Sequence, residues 1–514
     1  MQTFHGDLKA KFAAARRVSV PIVAINTPDQ PSLLDMIAEA VTAEPPSDTG
    51  RNKAIFVWDI VRGIYARNEA AKEEMVSWGN AQEIVAATRR EPIAALDLAR
   101  DHMPEDSVLV YCNAQRFVKD AGVCQALLNL RDDFKSHGRM VVMIGTGIVA
   151  SPEIANDIVQ WSEDLPDDDQ LTKIVAEQVD DNKDKFRVKP TAEAVKQAAF
   201  ALRGTSCFGA DQLSAMGLRP TGIDLETLHT QARAMIEQTP GLTFERGKET
   251  FDDVCGLDFA KAYSERMFNG PKSPAVIVRV EEIEKAMAGA KGDLSGTSGD
   301  ALQVMLTQME DNGWSGMLAF GVPGAGKSLL AKTAANTFKA KAVVFDLNAC
   351  KGSLVGQSEQ NIRQAMSVLR TLGGDRVFFV ASCNALDTLH AALQRRFRAG
   401  VWFFDTPTAE GRAAMWNLHR SKFGLGTTEM LPDEPDLTGA DIRNICEQAY
   451  LLGCSLKEAR RYVVPLKSQS PKDIEQCRLQ ANGRFTDATL GGVYDMNRTA
   501  SQLRKAGPRK VAVV

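Results

Sequence analysis

Eight residues, Gly321-Val322-Pro323-Gly324-Ala325-Gly326-Lys327-Ser328, fit the spacing G-x-x-x-x-G-K-S. Glycines so placed let the backbone curl until successive N–H groups, with the N-terminus of the next helix, surround a phosphate. The lysine then reaches the β- and γ-phosphates of a nucleoside triphosphate, and the serine hydroxyl holds Mg²⁺. Pro323, Gly324, Ala325, Gly326, Lys327, Ser328 and Leu329 are the expected cradle for a nucleoside triphosphate. The bland alternative is a glycine-rich turn carrying a chance lysine. Flanking sequence argues against it: Met317-Leu318-Ala319-Phe320 reads as a strand, and Leu329 to Ala335 as a helix.

Triphosphate chemistry also needs carboxylates at the end of a strand beside the phosphate loop, ordinarily later in the chain. Downstream, Ala342-Val343-Val344-Phe345-Asp346 is followed by a helix around Ser358 to Leu372 and by the strand Arg376 to Cys383, which ends in Asn384. None of these ends in an acidic pair. An acidic strand lies upstream instead, Ala275-Val276-Ile277-Val278-Arg279-Val280-Glu281-Glu282-Ile283-Glu284-Lys285. Chain order need not follow spatial order in a parallel sheet, so the acidic strand is expected to have moved ahead of the phosphate loop. The competing reading is that Glu281, Glu282 and Glu284 only favour a helix N-terminus.

Stepping along the elements, residues 18–150 alternate short apolar runs with helical stretches, the pattern of a helix-covered parallel sheet. Its strand ends carry Cys112-Asn113 and Gly145-Thr146 rather than acids, so 1–150 is expected to be a degenerate nucleotide-binding-like α/β domain. Residues 151–248 read as a helical lid-like unit, with helices near 170–179, 191–202, 208–216 and 224–238, closing in a linker from Thr239 to Lys248. A phosphate-loop domain spans 249–407, a helical lid 408–470, and an extension with a basic tail (Arg498, Arg504, Lys505, Arg509, Lys510) 471–514. Thr438-Gly439-Ala440-Asp441 is suited to cap a lid helix.

Composition sets bounds. The 514 residues are 44% hydrophobic, enough for about three domains. Net charge is −4 and the pI near 6.0, which argues against nucleic acid and anionic lipid as partners. Nine dispersed cysteines without a C-x-x-C pair indicate reduced thiols and a cytoplasmic setting, not a zinc site. No apolar run approaches the ~18 residues that span a bilayer.

Several motifs together resemble the AAA ATPase family. Phe251-Asp252-Asp253-Val254-Cys255-Gly256-Leu257 is similar to the stretch that opens its ATPase module, where the backbone near Val254 and Gly256 would meet adenine. Gly352 to Glu359 resembles the pore loop, Asn384 to Leu389 with Ala392 to Phe397 the sensor-1 and arginine-finger region, and Thr438 to Asp441 the sensor-2 helix start. The layout is similar to two-part AAA proteins of cyanobacteria, plastids and phages that carry an inactive ATPase-like N-terminal half. In that family an acidic motif precedes a Lys-Ala helix, a Gly-Thr-Ser turn and a long apolar helix, as in Glu281 to Ala286, Gly296-Thr297-Ser298 and Ala301 to Leu306. Two positions depart from the pattern. The first acid is Glu281 rather than Asp, and Leu354-Val355-Gly356 lacks the aromatic residue of many translocases.

The resemblance implies metal-assisted ATP hydrolysis, with Glu281 on the water shell of Mg²⁺, Glu282 as general base and Asn384 bridging the attacking water and the γ-phosphate. Arg395 and Arg396 become candidate fingers for a neighbouring subunit, with Arg398 a substitute, and the working unit a homo-hexamer or similar ring. Capping a helix in cis is the plainer role for the arginines. An ATP-driven ring that remodels a protein partner recruited by the N-terminal half is thus the leading expectation. A nucleotide-gated scaffold with little hydrolysis is the rival.

Overall fold

A computed structural model describes residues 6–45, 52–187, 189–288, 297–351, 357–385, 394–426 and 429–497. The pore-loop candidate 352–356, residues 386–393, Gly296 and the basic tail lie outside them. The chain forms two compact units, Met1–Met235 and Ile236–Val514.

In the first unit a six-stranded sheet is built from β1 (Ile22–Asn26), β2 (Ile55–Asp59), β3 (Gly63–Ala66), β4 (Val108–Cys112), β5 (Met140–Gly145) and β6 (Val159–Ser162), in the order β3-β2-β4-β5-β1-β6. All pairings are parallel except that of β2 with β3. The central strands are apolar at every position because helices cover both faces. Ile22, Phe56, Leu109 and Val141 pack into one core and Val23, Val57, Val110 and Val142 into the other. Helices Asp168–Asp181, Ala192–Ala201, Cys207–Gly217 and Leu225–Ile236 follow. They enclose Leu171, Ile174, Leu202, Leu213 and Leu228, with a small hairpin of β7 (Leu218–Arg219) and β8 (Gly222–Ile223) at their side.

The second unit holds a seven-stranded sheet of β9 (Leu242–Phe244), β10 (Val276–Val280), β11 (Ser315–Gly321), β12 (Lys341–Phe345), β13 (Val377–Cys383), β14 (Val401–Phe404) and β15 (Thr486–Asp487). Their order is β15-β14-β11-β13-β10-β12-β9, and only β9 runs antiparallel. The acidic strand β10 therefore lies inside the sheet of the phosphate-loop strand β11. It is not directly beside β11, as the sequence had led us to expect: β13 separates them.

The two sheets share one layout. An antiparallel edge strand is followed by five parallel strands, β2-β4-β5-β1-β6 in one and β12-β10-β13-β11-β14 in the other. In the first unit the strand in the second of these places, β4, falls between β2 and β5 in the chain. In the second unit the strand there, β10, precedes all the other parallel strands. The relocation inferred from the sequence is thus visible as a difference between two halves of one molecule.

Two stretches differ from expectation. Residues 239–248, read as a linker from Pro240-Gly241, contain β9, which pairs with β12 through Phe244↔Val343 and closes the sheet edge. The C-terminal extension returns to the same sheet, where β15 pairs with β14. Between them lies a lid of helices Ala409–Lys422 and Gly439–Leu452 around the buried Trp416, Ile442, Ile445 and Ala449.

Candidate nucleotide site

β11 delivers the phosphate loop. Its residues Gly316 to Gly321 are all buried, and the loop's helix, Lys327–Thr337, begins directly after Gly326. Gly324 and Gly326 have φ of +77° and +91°, the left-handed region where a side chain is strained. A Cβ on Gly324 would also stand 2.9 Å from Thr438 Oγ1 and 3.1 Å from Ala440 Cβ. The lid helix start therefore rests on the loop. Thr438 caps that helix reciprocally: its Oγ1 accepts from the Asp441 N–H at 3.2 Å, and its N–H donates to Asp441 Oδ2 at 2.9 Å.

Lys327 is 7% exposed, and its ammonium donates to the carbonyls of Gly321 at 2.7 Å and Val322 at 2.9 Å. Burial lowers its pKa to about 8, against opposing pulls from Cys477, Cys383, Glu284 and Glu282. Pro323 and Gly324 are exposed, Ala325, Gly326 and Ser328 half-buried, and Leu329 exposed. The Ser328 hydroxyl, in the first turn, and the carboxylates after β10 are all oxygen donors, the type that suits Mg²⁺ rather than a softer metal.

Strand register brings the acid turn to the same edge. Ala381 of β13 pairs with Leu318 of β11 on one side and Val280 of β10 on the other. This sets Glu281 and Glu282 level with the ends of both neighbours. Past the last pairing, the Glu282 N–H donates to Ser382 Oγ at 3.1 Å, and the Asn384 N–H donates to Glu284 Oε1 at 3.1 Å. Glu282 is half-buried, takes a left-handed φ of +48°, and its carboxylate pairs with Lys285 at 2.6 Å. The Glu281 side chain is 47% exposed and pairs with Arg279, whose guanidinium also holds Glu245.

Val254 is buried and Gly256 sits at φ +73° with open space where a Cβ would project. The next residue, Leu257, is buried and its Cδ1 would lie 3.3 Å from a Cβ on Gly326, so this segment packs on the phosphate loop. Leu257 is a site residue the sequence reading passed over; its place beside Gly256 was the available signal. Cys477 is another. Its thiol donates to the Asn384 carbonyl at 3.5 Å from the C-terminal helix Pro471–Ala481, and nothing in the sequence pointed there. Arg395 is exposed, whereas Arg396 pairs with Glu310 at 3.3 Å and donates to Thr307 Oγ1 at 3.3 Å. No group of metal-binding side chains is preassembled among the described residues, and none of their helices is long and apolar enough to cross a membrane.

The chain is similar to known proteins over both of its units. Residues 8–162 match the model of the SpoVK-like AAA ATPase N-terminal domain. Residues 317–374 match that of the ATPase family associated with various cellular activities. The second match ends just before β13. An uncharacterized AAA domain-containing protein, ycf46, of Trieres chinensis is 21% identical over 84% of this chain and 86% of its own length. The peroxisomal ATPase PEX6 of Yarrowia lipolytica is 21% identical over 65% of this chain and 38% of its own. The 26S proteasome regulatory subunit 4 homolog of Saccharomyces cerevisiae is 26% identical over 35% and 50% respectively.

Proposed function

We propose that this chain, similar to AAA-family proteins and to ycf46, is a Mg²⁺-dependent ATPase that assembles as a ring and remodels a protein partner recruited by its N-terminal unit. The observation that carries the reading is the double tie between the acid turn and the end of β13, beside the buried Lys327. It supports a carboxylate, an amide side chain and an ammonium acting on one triphosphate.

In this reading the backbone from Gly324 to Lys327 cradles the β-phosphate, and Lys327 leaves the Gly321 and Val322 carbonyls for the γ-phosphate. Glu282 exchanges Lys285 for the attacking water and takes its proton. The Asn384 side chain orients that water against the γ-phosphate. Ser328 and Glu281 would hold Mg²⁺, which when bound neutralises charge on the phosphate oxygens. Val254, Gly256 and Leu257 would meet the adenine side. Arg395 is the better trans-acting finger, since Arg396 is already engaged within its own subunit.

The scaffold reading draws on one specific observation, the pairing of Glu281 with Arg279. Steady-state ATP turnover against protein concentration separates the two. Turnover per chain that rises with concentration and falls about 10³-fold in Arg395→Ala supports the ring ATPase. Turnover of wild type no higher than that of Lys327→Ala leaves the scaffold.

A further inference from the structure

The sheet pairing between β10 and β13 ends at Val280↔Ala381. Beyond it Asn384 has to be held against the acid turn by side chains. We propose that Glu284 is the positioning residue for Asn384, fixing the backbone of the water-orienting residue to the turn that carries Glu282.

The geometry is specific. Ile283 is fully buried and anchors the turn, while Glu282 is fixed by its N–H on Ser382 and its left-handed φ. Glu284, one residue beyond Ile283, then directs Oε1 onto the Asn384 N–H at 3.1 Å. The contact is a backbone N–H donating to a carboxyl oxygen across the turn. Its other oxygen, Oε2, is buried and has no hydrogen-bond partner among the described residues. A carboxylate kept only as a helix-end charge would sit in water with both oxygens solvated; a half-satisfied buried one is costly and calls for another reason. Burial raises the Cys383 thiol and Glu284 raises it further, while Glu284 opposes the desolvation of Lys327. Glu284 thus does for the backbone of Asn384 what an outer-shell carboxylate does for a metal ligand: it fixes orientation without touching substrate.

The proposal rests on the ATPase reading only for its kinetic arm. The full chain is compared as wild type, Glu284→Ala, Glu284→Gln, Asn384→Ala and Glu284→Ala/Asn384→Ala. Hydrogen exchange of a peptide spanning 380–386 is followed first, without hydrolysis. Glu284→Ala is expected to speed exchange about tenfold or more there, and Glu284→Gln, whose carbonyl still accepts, to keep protection. In turnover, Glu284→Ala is expected to lower kcat about 10- to 100-fold with KM for ATP and Tm near wild type. Glu284→Gln should restore most of it, and the double variant should be no slower than Asn384→Ala. Unchanged exchange in Glu284→Ala, or additive losses in the double variant, overturns the proposal. If wild type shows no turnover above Lys327→Ala, the ATPase reading fails and the exchange result alone decides the tether. Should Glu284→Ala not fold, Glu284→Met, of similar length without an acceptor, is read the same way.

Discussion

Lys327 is where the chemistry of single residues is sharpest. Its motif was plain from the sequence, but its state was not: burial against two carbonyls and a lowered pKa come from packing. Because the folded pKa is about 8 against an ordinary 10.5, the free protein carries a buried charge at a cost below pH 8. It sheds that cost as pH rises from about 8 towards 10.5, where the unfolded chain still holds its proton. A bound polyphosphate reverses the preference and favours the ammonium. ATP affinity is therefore predicted to be flat below pH 8 and about tenfold weaker at pH 9, with net proton uptake on binding near pH 8.5. Calorimetry in buffers of different ionisation enthalpy reads both, and Lys327→Ala should remove the uptake. Glu281 and Glu282 were legible as acids at a strand end, yet their present partners, Arg279 and Lys285, were not. Side-chain pairing across a turn depends on backbone direction, and the left-handed Glu282 follows from no propensity.

Between elements, the lid and loop share one contact that makes capping a matter of binding as well as stability. Thr438→Ala removes both side-chain hydrogen bonds with Asp441 and the contact above Gly324. It is predicted to cost about 1 kcal/mol of stability, measured by chemical denaturation, and to weaken ATP binding. An unchanged midpoint would mean the cap is made by other groups. Strands β10, β11 and β13 and the lid helices were readable from apolar runs and cap residues. Strands β9 and β15 were not, because three- and two-residue edge strands carry no period and exist only through pairing with β12 and β14. The C-terminal segment was opaque for the same reason. Arg478 binds Asp405, just past β14, at 2.9 Å and Asp436, just before the lid cap, at 2.9 Å; no local pattern announces such a junction.

At the scale of the molecule, two sheets of one layout differ in chemistry. In the first unit the helix after β1 already has a carboxylate at its N-terminus: Asp29, 6% exposed, accepts from the N–H groups of Ser32 at 3.2 Å and Phe208 at 3.1 Å. Thr27 beside it is bonded to Glu163. A phosphate there would have to displace the Asp29 side chain from the N–H groups of Ser32 and Phe208, so one ATP per chain is predicted by calorimetry. The lack of an acidic pair is what the sequence offers for reading this unit as degenerate; the contacts of Asp29 at the helix N-terminus came only with the fold. In the second unit everything turns on a strand that comes first among the parallel strands in the chain and third from the sheet edge. The most direct test is Glu282→Gln, assayed for ATP binding and for turnover alongside wild type and Lys327→Ala. The account predicts wild-type affinity with turnover at the Lys327→Ala background, so that ATP stays bound uncleaved. Turnover at the wild-type rate in Glu282→Gln would contradict it.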